Sequence, residues 1–347
     1  MASYAPAPSA PATPKAATPA PKAQQKPAAG AQYVMKIAFA TVNDIQHEWA
    51  KRMEKRLEER TKGRIDVQVY PSSQLGNNQR MLEGVQLGTI EATIQPPEFM
   101  SGFEPAFQIP ELPFLFGDDG DMDLAYKVIT SPVMQQRFLG VAKGKGIQGV
   151  GFYIYGPLGI QAHQIIRSPA DLKGKKIRIL AAQTEIDTMA AWGATGVPMP
   201  LADVFTGLQQ KTVDGVQTAA MVAVPLKFYD LVKYYNDTRH AVITTLAVVS
   251  TKWMNSLPAD LQKAVVEEAR DLHKELLDFS KAKSGEFVKF WKSQPKNEFI
   301  ELTAAERKGF KDQAISVYDK FYKDNPTQKP LVEQIQAEVK KLQGAAR

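Results

Sequence analysis

The chain of 347 residues contains no cysteine. Disulfides, thiolate metal sites, a cysteine nucleophile and a lipid-modified N-terminal cysteine are therefore excluded. Histidine is scarce as well. His47, His163, His240 and His273 are the whole set, and no two stand at a metal-ligand spacing. No apolar run reaches the roughly 18 residues that a membrane-crossing helix needs, so the chain is not expected to span a bilayer itself. The residues after Met1 lack both the basic and the apolar stretch of a secretory leader. A P-loop, a Gly-x-Ser-x-Gly elbow, a His-Glu-x-x-His helix and a Gly-x-Gly-x-x-Gly fingerprint are all missing. The expectation is a protein that catalyses nothing and carries neither metal nor cofactor.

What the chain does have is bulk and mixed charge. With 44% hydrophobic and 23% charged residues it can fill two cores of ordinary domain size. The net charge of +6 would suit nucleic acid, but Lys51-Arg52-Met53-Glu54-Lys55-Arg56-Leu57-Glu58-Glu59-Arg60 alternates in sign. That pattern belongs to a salt-bridged, solvated helix face, so no nucleic-acid partner is expected. The acidic run Asp118-Asp119-Gly120-Asp121-Met122-Asp123 has the wrong spacing for a calcium loop and reads as the cap of the next helix. Residues 1–32 are rich in Ala and Pro and have nothing to bury, so they are read as a disordered, extended tail. We take them as the start of a secreted mature chain, with Met1 standing where a leader was removed.

From Tyr33 the pattern becomes regular. Residues 34–40, 64–70 and 89–95 read as strands. Between them lie a helix with Ile45, Trp49, Met53 and Leu57 on one face and a second helix over 77–87. This is the βαβ rhythm of a parallel sheet. Helices are expected over 121–129 and 132–142 and a strand over 147–155. A second β/α unit follows: strands at 159–165, 176–180 and 212–218, helices at 184–192 and 203–210. A β-branched strand at 241–250 returns to the first unit. Beyond Pro258 the periodicity predicts one helix to about Trp291, some 50 Å long at about 1.5 Å per residue. Two further helices close the chain, one opened by the capping box Thr303-Ala304-Ala305-Glu306, the other carrying Leu331, Ile335, Val339 and Leu342 on one face. The fold class is thus α/β in two lobes: 33–157 with 241–257 as lobe I, 158–240 as lobe II, and 258–347 as a long bracing helix and C-terminal helices on both.

Three motifs in fixed order resemble the solute receptors of tripartite ATP-independent periplasmic (TRAP) transporters, the DctP-like family. They are Gln74-Leu75-Gly76 with Met81-Leu82-Glu83-Gly84-Val85-Gln86-Leu87-Gly88; Leu112-Pro113-Phe114-Leu115-Phe116; and Asp171-Leu172-Lys173-Gly174-Lys175-Lys176-Ile177-Arg178. Behind the last follow Gly196-Val197-Pro198-Met199-Pro200 and Leu208-Gln209 to Val213-Asp214-Gly215, and Ser256-Leu257-Pro258-Ala259-Asp260 opens the long helix. The resemblance spans roughly residues 36–322. It implies a periplasmic-binding-protein-like fold, a small organic acid bound between the lobes, membrane permease subunits as partners, a periplasmic location and a monomer.

The resemblance puts Arg178 at a strand end, where the family's arginine grips the ligand carboxylate. A planar guanidinium matches two oxygens at once and is less costly to desolvate than an ammonium. The family's Gln-Glu-Asn-Pro after Val-Asp-Gly is absent, since the chain reads Val216-Gln217-Thr218-Ala219. Gln217 and Thr218 remain as candidate ligand contacts. The places of a second family arginine hold Leu158 and Gln164, with His163 beside the latter. Phe99, Tyr153, Tyr155 and Phe205 align with or near the cleft-facing ends, and Leu201 is a further candidate ligand contact. One cation with aromatic walls favours a monocarboxylate with an apolar or aromatic body. The alternatives are a dicarboxylate or 2-oxo acid receptor of the same fold, or a receptor that reports its ligand to a signalling partner.

Overall fold

The computed structural model describes residues 27–344, so the tail assigned to residues 1–32 falls almost wholly outside the described residues. The first βαβ unit forms as the periodicity predicts. β1 (Tyr33–Ala38) leads to α1 (Ile45–Thr61), β2 (Ile65–Tyr70), α2 (Asn78–Leu87) and β3 (Ala92–Gln95). Asp44 caps α1 by accepting from the backbone N–H groups of Gln46 and His47. Asn77 caps α2, which ends at Gly88 in the left-handed region, where a side chain would be strained. That turn delays β3, and residues 89–91 are not strand.

Next come α3 (Met122–Ile129), β4 (Ile147–Pro157), β5 (Gly159–Ala162), β6 (Lys176–Ile179), α4 (Gln183–Ala191), β7 (Thr195–Pro198), α5 (Leu201–Gln209), β8 (Gly215–Thr218), α6 (Ala220–Ala223), β9 (Tyr234–Asp237) and β10 (Val242–Ser250). Asp121 caps α3, as read from the acidic run. The helix expected over 132–142 is only a π-helical turn at Val133–Phe138. Strands β7 and β9 were not anticipated.

The C-terminal part holds α7 (Thr251–Ser256), α8 (Ala259–Asp271), α9 (His273–Ser293), β11 (Glu298–Glu301), α10 (Ala304–Asp324) and α11 (Lys329–Gly344). The single long helix expected from Pro258 is therefore two, meeting at Leu272. At the junction His273 Nδ1 lies 2.6 Å from the Arg270 carbonyl, and its Nε2 accepts from the Phe152 N–H at 3.4 Å. The ring thus ties the start of α9 to β4.

The strands form two sheets, ordered β2-β1-β3-β10-β4 and β11-β9-β5-β8-β6-β7. In the first, β1 pairs parallel with β2 and β3, while β10 runs antiparallel between β3 and β4. In the second, β6 is parallel to β7 and β8, and β5 and β9 extend the sheet antiparallel. The edge strand β11, from the far end of the chain, pairs parallel with β9. We call the units built on these sheets lobe I and lobe II.

Helix α9 touches both. Its Leu276 lies in the core under the first sheet, and Ser280 Oγ donates to the Ile154 carbonyl at 2.7 Å. Its far end puts Trp291 into the core of lobe II, with Nε1 donating to the Glu298 carbonyl at 3.2 Å. The Leu-Pro-Phe-Leu-Phe segment is also shared. Leu112, Leu115 and Phe116 fill the lobe I core, while Phe114 turns left-handed (φ 59°) into lobe II and donates its N–H to the His240 carbonyl at 2.6 Å.

The alternating charges of α1 pair mainly across to α8 and α9. Arg52 meets Glu275, Arg60 meets Glu267 and Glu268, and Arg64, just beyond the helix, meets Asp260. This ladder of half-exposed pairs welds α1 to the brace, though each rung contributes little, about 0–1 kcal/mol.

Candidate functional site

Arg178 lies on β6, between β8 (Arg178 opposite Val216) and β7 (opposite Val197). The residues flanking it explain the local sequence. Asp171 closes a capping box with Ser168, and Gly174 (φ 73°) makes the turn into β6. Asp214 accepts from the Lys176 N–H at 2.8 Å, fixing the start of the strand. Gly215 leaves room where a Cβ would sit 2.7 Å from the Gln161 carbonyl.

The guanidinium is 1% exposed. Its Nε and Nη2 both donate to the Met199 carbonyl, at 3.0 and 2.8 Å. One edge of the fork is thereby anchored to the Gly-Val-Pro-Met-Pro segment. Among the described residues no carboxylate forms an ion pair with Arg178. Burial pulls its pKa down to about 10, with the charge of Glu185 working in the opposite direction. The group stays cationic at neutral pH, and a buried cation without a bonded anion costs several kcal/mol.

Arg178 faces a narrow cavity of about 30 Å³ between the lobes. Lobe I supplies Ala40, Thr41, Gln46, Asn78, Pro96, Phe99, Tyr155 and Ile243, and lobe II adds Leu180, Leu201, Thr218 and Val222. Among the described residues Arg178 is the only ionisable cation in this lining. The polar groups are pre-set. Thr41 donates to Gln46 Oε1 at 3.0 Å, Asn78 donates to Gln95 Oε1 at 2.9 Å, and the Tyr155 hydroxyl donates to Asp44. Burial raises the Asp44 carboxyl to about 6, against hydrogen bonds from Thr41, Tyr155 and the α1 backbone. A second opening of about 140 Å³, between residues 77–79 of lobe I and Pro198, Met199 and Pro200 of lobe II, shares Asn78 and Phe99 with it. A larger groove against α10 and α11, about 500 Å³, lies away from Arg178 and holds the paired Asp118 and Lys311.

Of the residues singled out by sequence, the structure brings Arg178, Thr218, Phe99, Tyr155 and Leu201 together around this cavity. The other five do not line it. Gln217 lies behind, donating to Glu185 Oε2 at 2.9 Å and bonded through its carbonyl oxygen to His240 Nε2 at 3.0 Å. The Tyr153 hydroxyl is held in the lobe I core by Trp49 Nε1 and the Ala269 carbonyl. His163 is exposed beyond the end of β5, Gln164 donates to the Asp171 carbonyl at 2.9 Å, and Phe205 is 40% exposed on α5. Sequence reasoning missed Thr41, Gln46 and Asn78, which stand at the starts of helices where spacing carries no signal.

A profile of the family described as bacterial extracellular solute-binding protein, family 7 (DctP), matches residues 38–325. The 2,3-diketo-L-gulonate-binding periplasmic protein YiaO of Escherichia coli K12 is 29% identical over 294 residues, covering 82% of this chain and 85% of YiaO. Among solved structures, a TRAP periplasmic solute-binding protein of Shewanella oneidensis with bound succinate superposes with a TM-score of 0.84 at 25% identity, covering 89% of this chain and all of that one. The counterpart from Xanthobacter autotrophicus Py2, with bound β-D-galacturonate, gives 0.80 at 26% identity over 88% and 99% of the two chains.

Proposed function

The chain belongs to family 7 of the bacterial extracellular solute-binding proteins, the receptors of TRAP transporters, and from this membership we propose that it captures a small organic acid in the periplasm and hands it to a membrane permease. The observation that carries the reading is the buried Arg178, anchored on one edge by Met199 and facing the inter-lobe cavity without a carboxylate partner. An anion arriving there takes the place of lost water and makes charge-assisted hydrogen bonds worth roughly 1.5–3 kcal/mol. Enclosure by both lobes supplies the rest. Ligand therefore favours the closed state, in which walls from both lobes reach it.

The preferred ligand is a monocarboxylate. A second carboxylate would sit in the cavity without a countercharge, and Phe99, Leu180, Leu201, Val222 and Ile243 offer it only apolar surface. The same walls favour an apolar or aromatic body. A second reading rests on Gln46 and Asn78, whose amides suit the hydroxyls of a sugar acid, the ligand type named for YiaO and the Xanthobacter protein. Thermal shift and calorimetry with benzoate, a branched 2-oxo acid, gluconate and succinate separate these readings. Monocarboxylates should raise the melting temperature with concentration. Gluconate ahead of benzoate selects the hydroxylated class, and succinate binding tenfold tighter than all three would overturn the monocarboxylate reading.

A further inference from the structure

Helix α4 carries a carboxylate that this reading leaves without a role. Glu185 is 2% exposed. Its Oε2 accepts from the Leu180 N–H at 2.8 Å and from Gln217 Nε2 at 2.9 Å, while Oε1 is buried with no partner among the described residues. Gln217 is itself held from behind. Because its amide nitrogen faces Glu185, its oxygen accepts from His240 Nε2–H, and Nδ1 of that ring accepts from the Thr238 hydroxyl at 2.7 Å. Desolvation lowers His240 to about 3, so this chain of hydrogen bonds stays neutral at its far end. Arg178, on the adjacent β6, is the cation whose charge reaches Glu185, yet the two form no direct ion pair.

The remaining groups around Glu185 are acidic or spoken for. Glu98, in the turn Pro97–Met100, and Glu111, at the end of the segment Pro105–Glu111, are buried with both oxygens unpartnered among the described residues. Burial first, and then the charge of Glu185 among others, holds both well above the ordinary carboxylate value, so both are neutral while Glu185 titrates. From α10 comes Lys320, which pairs with Asp187 of α4. β7 brings no titratable side chain.

We infer that Glu185 is an affinity-determining residue: it competes with the ligand carboxylate for the single buried charge of Arg178, and the receptor takes up a solvent proton at Glu185 as the anion binds. The inference rests on the reading that Arg178 holds the ligand. In the free protein burial raises the Glu185 carboxyl to about 7, and Arg178 acts to lower it. A ligand anion on Arg178 cancels that effect and repels the second negative charge, so the bound-state pKa lies higher still. Below the free-state value Glu185 is already protonated and binding is unhindered. Above it, each pH unit weakens binding by up to about tenfold until the bound-state value is passed.

The test is calorimetry with benzoate and gluconate, both ionised throughout, at pH 6 and pH 8.5, with the heats in phosphate and in Tris compared at pH 7.5. Wild type should bind its best acid about tenfold more weakly at pH 8.5 than at pH 6, a shift of about one pKa unit. The heat should differ between buffers in the sense of proton uptake. Glu185→Gln keeps an oxygen for Leu180 and Gln217, and it should bind at pH 8.5 as tightly as wild type does at pH 6, with no buffer dependence. A packing role predicts the reverse, a weaker variant with an unchanged slope, and that result overturns the inference. Independently of any ligand, the Glu185 side-chain carbon signal, assigned by its loss in Glu185→Gln, should titrate near neutrality, and an ordinary carboxyl midpoint overturns the inference equally. A flat wild-type profile with binding lost in Arg178→Ala refutes the role of Glu185 alone. Binding retained in Arg178→Ala refutes the ligand assignment, and this inference with it.

Discussion

Arg178 is buried without a carboxylate bonded to it, and its orientation is fixed by the Met199 carbonyl. Arg178→Ala should weaken acid binding about ten- to hundredfold, the equivalent of roughly 1.5–3 kcal/mol, while circular dichroism reports an unchanged fold. Arg178→Lys should recover little of this, because one ammonium cannot serve both the Met199 oxygen and a two-oxygen ligand. Its place beside the cavity was legible because it ends a motif whose other members build its strand. Its neighbours were less so. Tyr153 and Tyr155 share one face of β4, and both lie in the lobe I core, but only the residue nearer the strand end reaches the cavity. On α5 Leu201 reaches the cavity, while Phe205, one turn further along, points to solvent. Alignment gives the face of an element, and the distance along it decides which side chain reaches the cavity.

Helix α4 begins with Ala182 at its cap position, and no local side chain satisfies its first N–H groups. Gln108, from the segment before Leu-Pro-Phe-Leu-Phe, does so instead, accepting from the N–H of Gln183 at 3.0 Å and of Thr184 at 3.3 Å. Gln108→Ala should cost about 1 kcal/mol. The loss should appear as faster hydrogen exchange of the first α4 amides. At the other end of the lobe, Trp291→Ala should destabilise by about 3–5 kcal/mol in denaturant titration, since a fully buried indole of the brace leaves the lobe II core. The βαβ units and the capping box were readable in the sequence from period and cap chemistry. The strands β7, β9 and β11 were not. Each is a short run broken by residues that disfavour strands, Gly and Pro in β7, Asn and Asp in β9 and two Glu in β11, and β11 is recruited to its sheet by β9 rather than by its own pattern. The break at Leu272 left no trace either, because the apolar period continues through it.

Across the whole molecule, buried carboxyls govern how stability responds to mild pH change. Glu98 and Glu111 are raised well above the ordinary carboxylate value, burial first and like charge second, and Glu185 to about 7. Groups raised in the folded state lend stability that is complete below their unfolded pKa and fades as pH climbs through their folded pKa. The ligand-free protein should therefore melt at a higher temperature at pH 6 than at pH 8.5, by the equivalent of about 1.4 kcal/mol per pH unit for each proton taken up. The triple variant Glu98→Gln, Glu111→Gln, Glu185→Gln should flatten this slope in scanning calorimetry. Exposed pairs such as Arg64 with Asp260 do not interfere, since the lowered Asp260 loses its charge only in stronger acid. The order of the strands carries one more consequence. The first sheet receives β10 between β3 and β4 only after residue 250 exists, and the second waits for β11 at its edge and Trp291 in its core. Emerging from the ribosome, two thirds of this polypeptide has no finished half to collapse into. A fragment ending at residue 240 should accordingly give no cooperative melt, and the nascent chain should stay loose enough to be threaded through a narrow channel until its last quarter is made.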